Sequence, residues 1–203
     1  MSSWFPTSAD VVVAVVVGYL VGSIPVANLV ARRRAGVDLR QVGDRNPGFW
    51  NARETFGRMA AVPVFVGDVA KGLVAAGLGA LLAGPGVWGL AYVAGGAAMV
   101  GHAFPVFDGF RGGRSILTFV GAIAVAAPLA TAIGVALLLV VFVATRSFAW
   151  ASRAGMLALP FVQLVVDGPF RTAATGALMT FIGLRFAMAA VADRRSDVRA
   201  TAP

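Results

Sequence analysis

From Ser115 to Thr145 the chain reads SILTFVGAIAVAAPLATAIGVALLLVVFVAT, without one charged residue. As a single helix it would reach about 46 Å, well past the ~30 Å hydrocarbon core of a bilayer. Pro128 interrupts it, and proline removes a backbone donor and kinks a helix. The stretch therefore reads as two spans, a short one over Ile116–Ala127 and a longer one over Leu129–Thr145. Working outward, Val11–Ala31 is apolar apart from Ser23 and Asn28, and Met59–Ala83 is interrupted by Asp68 and Lys71. Val87–Phe107 carries His102 near its end, Gly155–Val166 is a second short segment, and Ala173–Ala192 is the last. The expected fold class is all-α: a polytopic membrane protein of seven transmembrane helices, two of them short. A five-helix count, with the short pieces re-entrant or fused, is the alternative.

Charge placement tests that count, because loops on the cytoplasmic side of a membrane protein are enriched in Lys and Arg. Seven arginines (Arg32, Arg33, Arg34, Arg40, Arg45, Arg53, Arg58) fall between the first two spans. Arg111 and Arg114, then Arg146 and Arg153, then Arg185, Arg194, Arg195 and Arg199 fall in the later segments of the same side. Seven spans thus put fifteen arginines on one side and only Arg171 on the other. The N-terminus is expected outside and the C-terminus inside, in the plasma membrane of a bacterium. Residues 1–203 form a single integral membrane domain in this reading, with a cytoplasmic loop at 32–58 and a short tail at 193–203. Residues 1–10 have no basic region and the first span is too long for a signal core, so no cleavable signal is expected.

Composition excludes other classes. The chain is 59% hydrophobic and 13% charged, against about a quarter charged for soluble domains, so a soluble enzyme is excluded. There is no Cys and one His, which removes disulfides, thiolate sites and a histidine metal cage; no metal and no cofactor are expected. The net charge of +8 is a topology signal, so no nucleic acid partner is expected.

Ionisable groups inside spans are costly and mark functional positions. Asp68 and Lys71 stand i,i+3 on one helix face, either as a structural ion pair or as an ammonium offered to an anion and oriented by the carboxylate. His102 sits in Gly101-His102-Ala103-Phe104-Pro105, where Pro105 frees backbone groups. Asp108-Gly-Phe-Arg111-Gly112-Gly113-Arg114-Ser115 precedes a helix start. Its arginines and close-approaching glycine amides read as a phosphate cradle, with topology-setting charge in a turn as the alternative. The long loop holds Asn46, Gly48 and Asn51, which can bind phosphate or carbonyl oxygen, beside the interfacial aromatics Phe49 and Trp50. Gly18 and Gly22 fit the small-xxx-small pattern of a helix contact, and ordinary packing is the preferred reading.

Taken in order, these pieces resemble the PlsY family of bacterial acyl-phosphate:glycerol-3-phosphate acyltransferases. Gly22-Ser23-Ile24-Pro25 is similar to its GSIP, and Gly36 to Gly43 to its GVDLREVG. Asn46-x-Gly48-x-x-Asn51 is similar to the core of its SGNxGxTN loop, and Asp68-Val-Ala-Lys71-Gly72 to its DxxKG. Gly101 to Phe107 resembles GHxFPxF, and Phe110 to Arg114 resembles FKGGKG with Arg for both lysines. Departures fall at Asp44 (family Ser), Arg45 (Gly), Trp50 (Thr), Glu54 (Arg), Ala149 (Ser), Phe186 (His) and Ala189 (Asn).

The resemblance implies acyl transfer from acyl phosphate to glycerol 3-phosphate, giving lysophosphatidic acid for phospholipid synthesis. The implied partners are those two substrates and membrane lipids. It implies His102, Lys71 and Arg114 as catalytic residues. Asn46, Gly48, Asn51, Asp68, Arg111, Gly112 and Gly113 are the implied substrate-binding set. The alternative is a non-catalytic or regulatory relative that binds lipid or a partner; a transporter is a weaker third class.

Overall fold

The computed structural model describes residues 6–201; residues 1–5, and residues 202–203 of the expected tail, lie outside it. Among the described residues there are nine α-helices and no β-strand. They are α1 (Ser8–Gly22), α2 (Val26–Ala35), α3 (Phe49–Phe56), α4 (Arg58–Ala83), α5 (Gly89–Ala103), α6 (Ile116–Ala126), α7 (Pro128–Thr145), α8 (Phe148–Val166) and α9 (Pro169–Thr201). Short 3-10 turns cover Leu39–Gln41 and Val106–Asp108. Six segments are long and apolar enough to cross a bilayer, and α6 is a shorter apolar helix beside them.

Three boundaries differ from the sequence expectation. The first apolar run is two helices rather than one, because Pro25 lacks an N–H and pushes Ile24 out of helical geometry. The Gly155–Val166 segment is not short: α8 begins at Phe148, where the Ser147 hydroxyl caps it, and spans 19 residues. Arg153 does not end that helix, since its guanidinium lies over the Trp150 ring at 5.4 Å. The expected tail is a helical continuation, with α9 running on through Thr201. Pro128 does what the sequence indicated, opening α7 at its first position.

Glycines set the helix crossings. A Cβ at Gly22 would stand 2.1 Å from the Ala98 carbonyl oxygen, and one at Gly101 would stand 2.2 Å from that of Tyr19. These two contacts, with Gly18 against Ala94, pack α1 on α5 backbone to backbone. The same device joins α4 to α6, where a Cβ at Gly72 would fall 1.9 Å from the Thr118 carbonyl oxygen. The main core gathers Tyr92, Met99, Phe119, Ile123 and Leu159 between α4, α5, α6, α8 and α9. A second, smaller core of Ala27, Ala31, Leu39, Ala52, Ala61 and Val64 holds α2, α3 and the loop on the first half of α4. The exterior is apolar: Leu81 is 82% exposed and Val165 87%, which water would penalise and lipid does not.

Length differences create the site. The 26 residues of α4 span about 39 Å, while the 11 of α6 span about 16 Å. Helix α6 starts where α5 ends, pinned by the Ser115 hydroxyl donating to the Met99 carbonyl at 2.7 Å. The first half of α4, with α2 and α3, therefore rises beyond that level and walls a recess.

Candidate active site

Lys71 is at the floor of the recess, midway along α4. Its Nζ donates to the Ile24 carbonyl at 3.0 Å, the group that the Pro25 break made available. The same nitrogen is 2.9 Å from Asp68 Oδ1 and 2.9 Å from His102 Nδ1. Asp68 Oδ1 has no aligned donor, so its link to Nζ is an ion contact rather than a hydrogen bond. Asp68, Lys71 and His102 are 2%, 5% and 8% exposed. Two charges and an imidazole buried this far must pair, and the i,i+3 spacing on α4 provides the first pairing. An ammonium can only donate, so Nδ1 of His102 accepts and the imidazole proton resides on Nε2. Nε2 is backed by Gly113, where a Cβ would intrude to 2.4 Å.

The long loop is tied to the end of α5 by Asp108. Its carboxylate accepts from Asn28 at 2.6 Å and from Arg32 at 3.1 Å, and pairs with Arg40 at 3.2 Å. Asn28 also accepts the Leu39 amide at 3.1 Å, which fixes the 3-10 turn. Asp38 binds Arg40 from the other side, and the Arg40 guanidinium holds its carboxyl well below the usual carboxylate range. The pair raises Arg40 in turn. Asn51 is fully buried, and its amide donates to the carbonyls of Leu39 and Val42, both at 2.9 Å. Asn51 thus shapes the loop rather than facing a cavity. Gly48 is the N-cap of α3, and the Asn46 backbone N–H donates to Asp44 Oδ1 at 3.1 Å.

The glycine pair serves a different purpose from the one expected. The amides of Gly112 and Gly113 donate to the carbonyls of Ala103 at 3.0 Å and His102 at 3.1 Å. A Cβ at Gly112 would stand 1.9 Å from the His102 carbonyl oxygen. The pair lets the loop lie flat against the end of α5; its amides are already used. Arg114 follows, with Nη1 3.3 Å from Asp44 Oδ2 and the guanidinium carbon 4.7 Å from the Phe186 ring centroid. Arg111 is exposed at the rim.

Residues that sequence reasoning left out complete the site. Arg185 of α9 donates to the Gly112 carbonyl at 3.2 Å and the Gly113 carbonyl at 3.3 Å, and lies 4.6 Å over Phe104. Its sequence signal is that of Lys71, a charged residue inside an apolar helix. Arg45 holds a left-handed backbone, φ 56°, which non-glycine residues adopt at a cost. Arg40, Arg45, Arg111 and Arg185 line an open cleft of about 860 Å³. Behind it Pro47, Lys71, His102, Gly112 and Gly113 line a void of about 10 Å³, room for one water at most. Cleft and void share Pro47, Asp108 and Gly112. Lys71 and His102 line the void, Arg111 lines the cleft and Gly112 lines both, whereas Asn46, Asn51 and Arg114 line neither. Among the described residues no three His, Cys, Asp or Glu are grouped to hold a metal ion.

An apolar helix bundle with a guanidinium-lined cleft over a buried Asp–Lys–His cluster defines a polytopic membrane protein built to hold an anion. The family model described as glycerol-3-phosphate acyltransferase matches residues 12–199. The glycerol-3-phosphate acyltransferase of Symbiobacterium thermophilum is 38% identical over 79% of each chain. That of Desulforudis audaxviator is 35% identical over 93% of this chain and 90% of its own. The crystal structure of PlsY (YgiH), an integral membrane glycerol 3-phosphate acyltransferase, in its glycerol 3-phosphate form is similar throughout. Its TM-score is 0.73 at 29% identity, covering 91% of this chain and 93% of that one. Its lysophosphatidic acid form gives the same TM-score at 27% identity. The chain belongs to the glycerol-3-phosphate acyltransferase family and is an integral membrane protein.

Proposed function

We infer that this chain is a membrane glycerol-3-phosphate acyltransferase that moves an acyl group from acyl phosphate to glycerol 3-phosphate. The product is lysophosphatidic acid. A bond forms between the acceptor's hydroxyl oxygen and the acyl carbon, the acyl carbon–phosphate oxygen bond breaks, and phosphate leaves with the hydroxyl proton. The donor is already an activated anhydride, so the protein's contribution is positioning and charge stabilisation.

The observation that carries this reading is one recess holding the Asp68–Lys71–His102 cluster under a cleft lined by four arginines. Arg114 and Arg111 supply cations for the two substrate phosphates. Lys71 fixes the His102 ring so that its Nε2 proton faces the Gly113 side, where it donates to oxygen that gains charge during attack. Asp68 pairs with Lys71 in a buried position. Asn46, Gly48 and Asn51 set the loop that closes one wall, and Gly112 and Gly113 pack the segment leading to Arg114 against the end of α5. Acyl chains are to be expected in the surrounding lipid, and the cleft faces the cytoplasm of a bacterial cell, on the side that carries fifteen arginines.

The test is purified protein supplied with radiolabelled glycerol 3-phosphate and a long-chain acyl phosphate, beside an active family member. Labelled lysophosphatidic acid is the expected product. Absence of lysolipid above blank, with the control active, would overturn the assignment.

A further inference from the structure

Three positions at which this sequence departs from the family pattern touch one another. Asp44, Arg114 and Phe186 are distant in the chain, yet Asp44 Oδ2 is 3.3 Å from Arg114 Nη1 and Arg114 stacks on Phe186 at 4.7 Å. The guanidinium is therefore held on its face by the ring and at one edge by a carboxylate. Its Nε is buried and has no acceptor. A bidentate anion uses two neighbouring N–H groups of a guanidinium, and here only a single nitrogen is engaged. The Asp44 contact is also partly open to solvent, with side-chain exposures of 23% for Arg114 and 36% for Asp44. Such single-point pairs change an equilibrium by about 2- to 5-fold.

We propose that Asp44 is a displaceable counter-ion: it takes the place at Arg114 that a substrate phosphate takes in the complex. The inference rests on the acyltransferase reading of this site. A phosphate has two or more oxygens to offer to Nη1 and Nη2 end-on, so it makes two contacts where Asp44 makes one, and one of them is at the nitrogen that Asp44 holds. Displaced, Asp44 swings toward solvent, and its link to the Asn46 amide at 3.1 Å carries that motion into the loop. Phe186 holds the guanidinium plane in both states. The protein's own carboxylate thereby competes with substrate and eases release of the phosphate product.

Asp44→Asn tests this, because an amide oxygen still accepts the Asn46 N–H while the charge is gone. The expected result is a KM about 2- to 5-fold lower for at least one of the two phosphate substrates, with kcat unchanged or reduced. An Asp44 that merely braces the loop would give unchanged or higher KM for both, and that result overturns the proposal. Asp44→Ser is read the same way if the Asn variant does not fold. A second readout separates this inference from the acyltransferase reading: the shift of Tm with inorganic phosphate, which needs no turnover. A lower half-saturating phosphate concentration in the variant supports the counter-ion even if no lysolipid forms; equal values in variant and parent overturn it.

Discussion

Lys71 has three partners within 3.0 Å and almost no exposure, and that arrangement separates its structural from its chemical role. Lys71→Met leaves the Asp68 carboxylate buried without its cation, and breaking a buried pair in this way costs about 3–5 kcal/mol. Adding Asp68→Asn removes the orphaned charge, so the double variant should recover most of the lost Tm. Its acyl transfer should remain reduced by about 100-fold or more, since the group that fixes His102 is still missing. Recovery of activity along with Tm would reduce the pair to a packing device. Arg45 poses the opposite balance: its left-handed φ of 56° is a cost kept for the sake of a charge in the cleft. Arg45→Gly should gain about 1 kcal/mol, a small rise in Tm, and weaken substrate affinity. Asp68, Lys71 and His102 were legible in the sequence because an ionisable side chain in an apolar run is expensive. Asn51 was not legible in its actual role, since its partners are the backbone carbonyls of Leu39 and Val42, placed by tertiary folding.

At the scale of elements, α1, α4, α5 and α6 meet through glycine, and the site inherits its geometry from those crossings. Gly101 is the clearest case. It precedes His102, and a Cβ there would meet the Tyr19 carbonyl oxygen at 2.2 Å and the Ser23 nitrogen at 2.9 Å. Neither atom is the end of a flexible side chain, so Gly101→Ala has to push α1 from α5. The expected loss is about 1–3 kcal/mol, read as a lower Tm in detergent. Because Ile24 and His102 would separate, kcat should fall more than KM rises. An unchanged Tm would mean that the helices slide apart at no cost. The sequence carried much of this level: the apolar segments and the Pro128 break were readable, whereas Gly18 and Gly22 read as ordinary packing. The start of α8 was not, because Ser152 and Arg153 interrupt the apolar pattern while a serine cap five residues earlier supports the helix. The Pro25 break was hidden for a related reason. Apolar composition reports where lipid is, whereas a break inside a continuous apolar run depends on what satisfies the freed carbonyl, here Lys71.

For the whole molecule, the deciding asymmetry is electrical. The cleft is lined by Arg40, Arg45, Arg111 and Arg185, all among the fifteen arginines that the sequence reading assigns to one side, with Arg171 alone on the other. Lys71 lies about 20 Å along α4 from its first residue, so the recess is deep relative to that end of the helix. Such a cleft draws small phosphate esters from water while its walls remain open to lipid, the arrangement an enzyme needs when one substrate is soluble and the other greasy. The sequence has no cysteine, which makes single-cysteine labelling clean. Arg33→Cys reports the cleft end and Pro85→Cys the opposite turn; both positions are exposed. A membrane-impermeant maleimide added to intact spheroplasts should label Pro85→Cys alone, and permeabilised cells should label both. The reverse pattern would turn the cleft away from the cytoplasm, where an acyltransferase of this kind would meet neither glycerol 3-phosphate nor its donor.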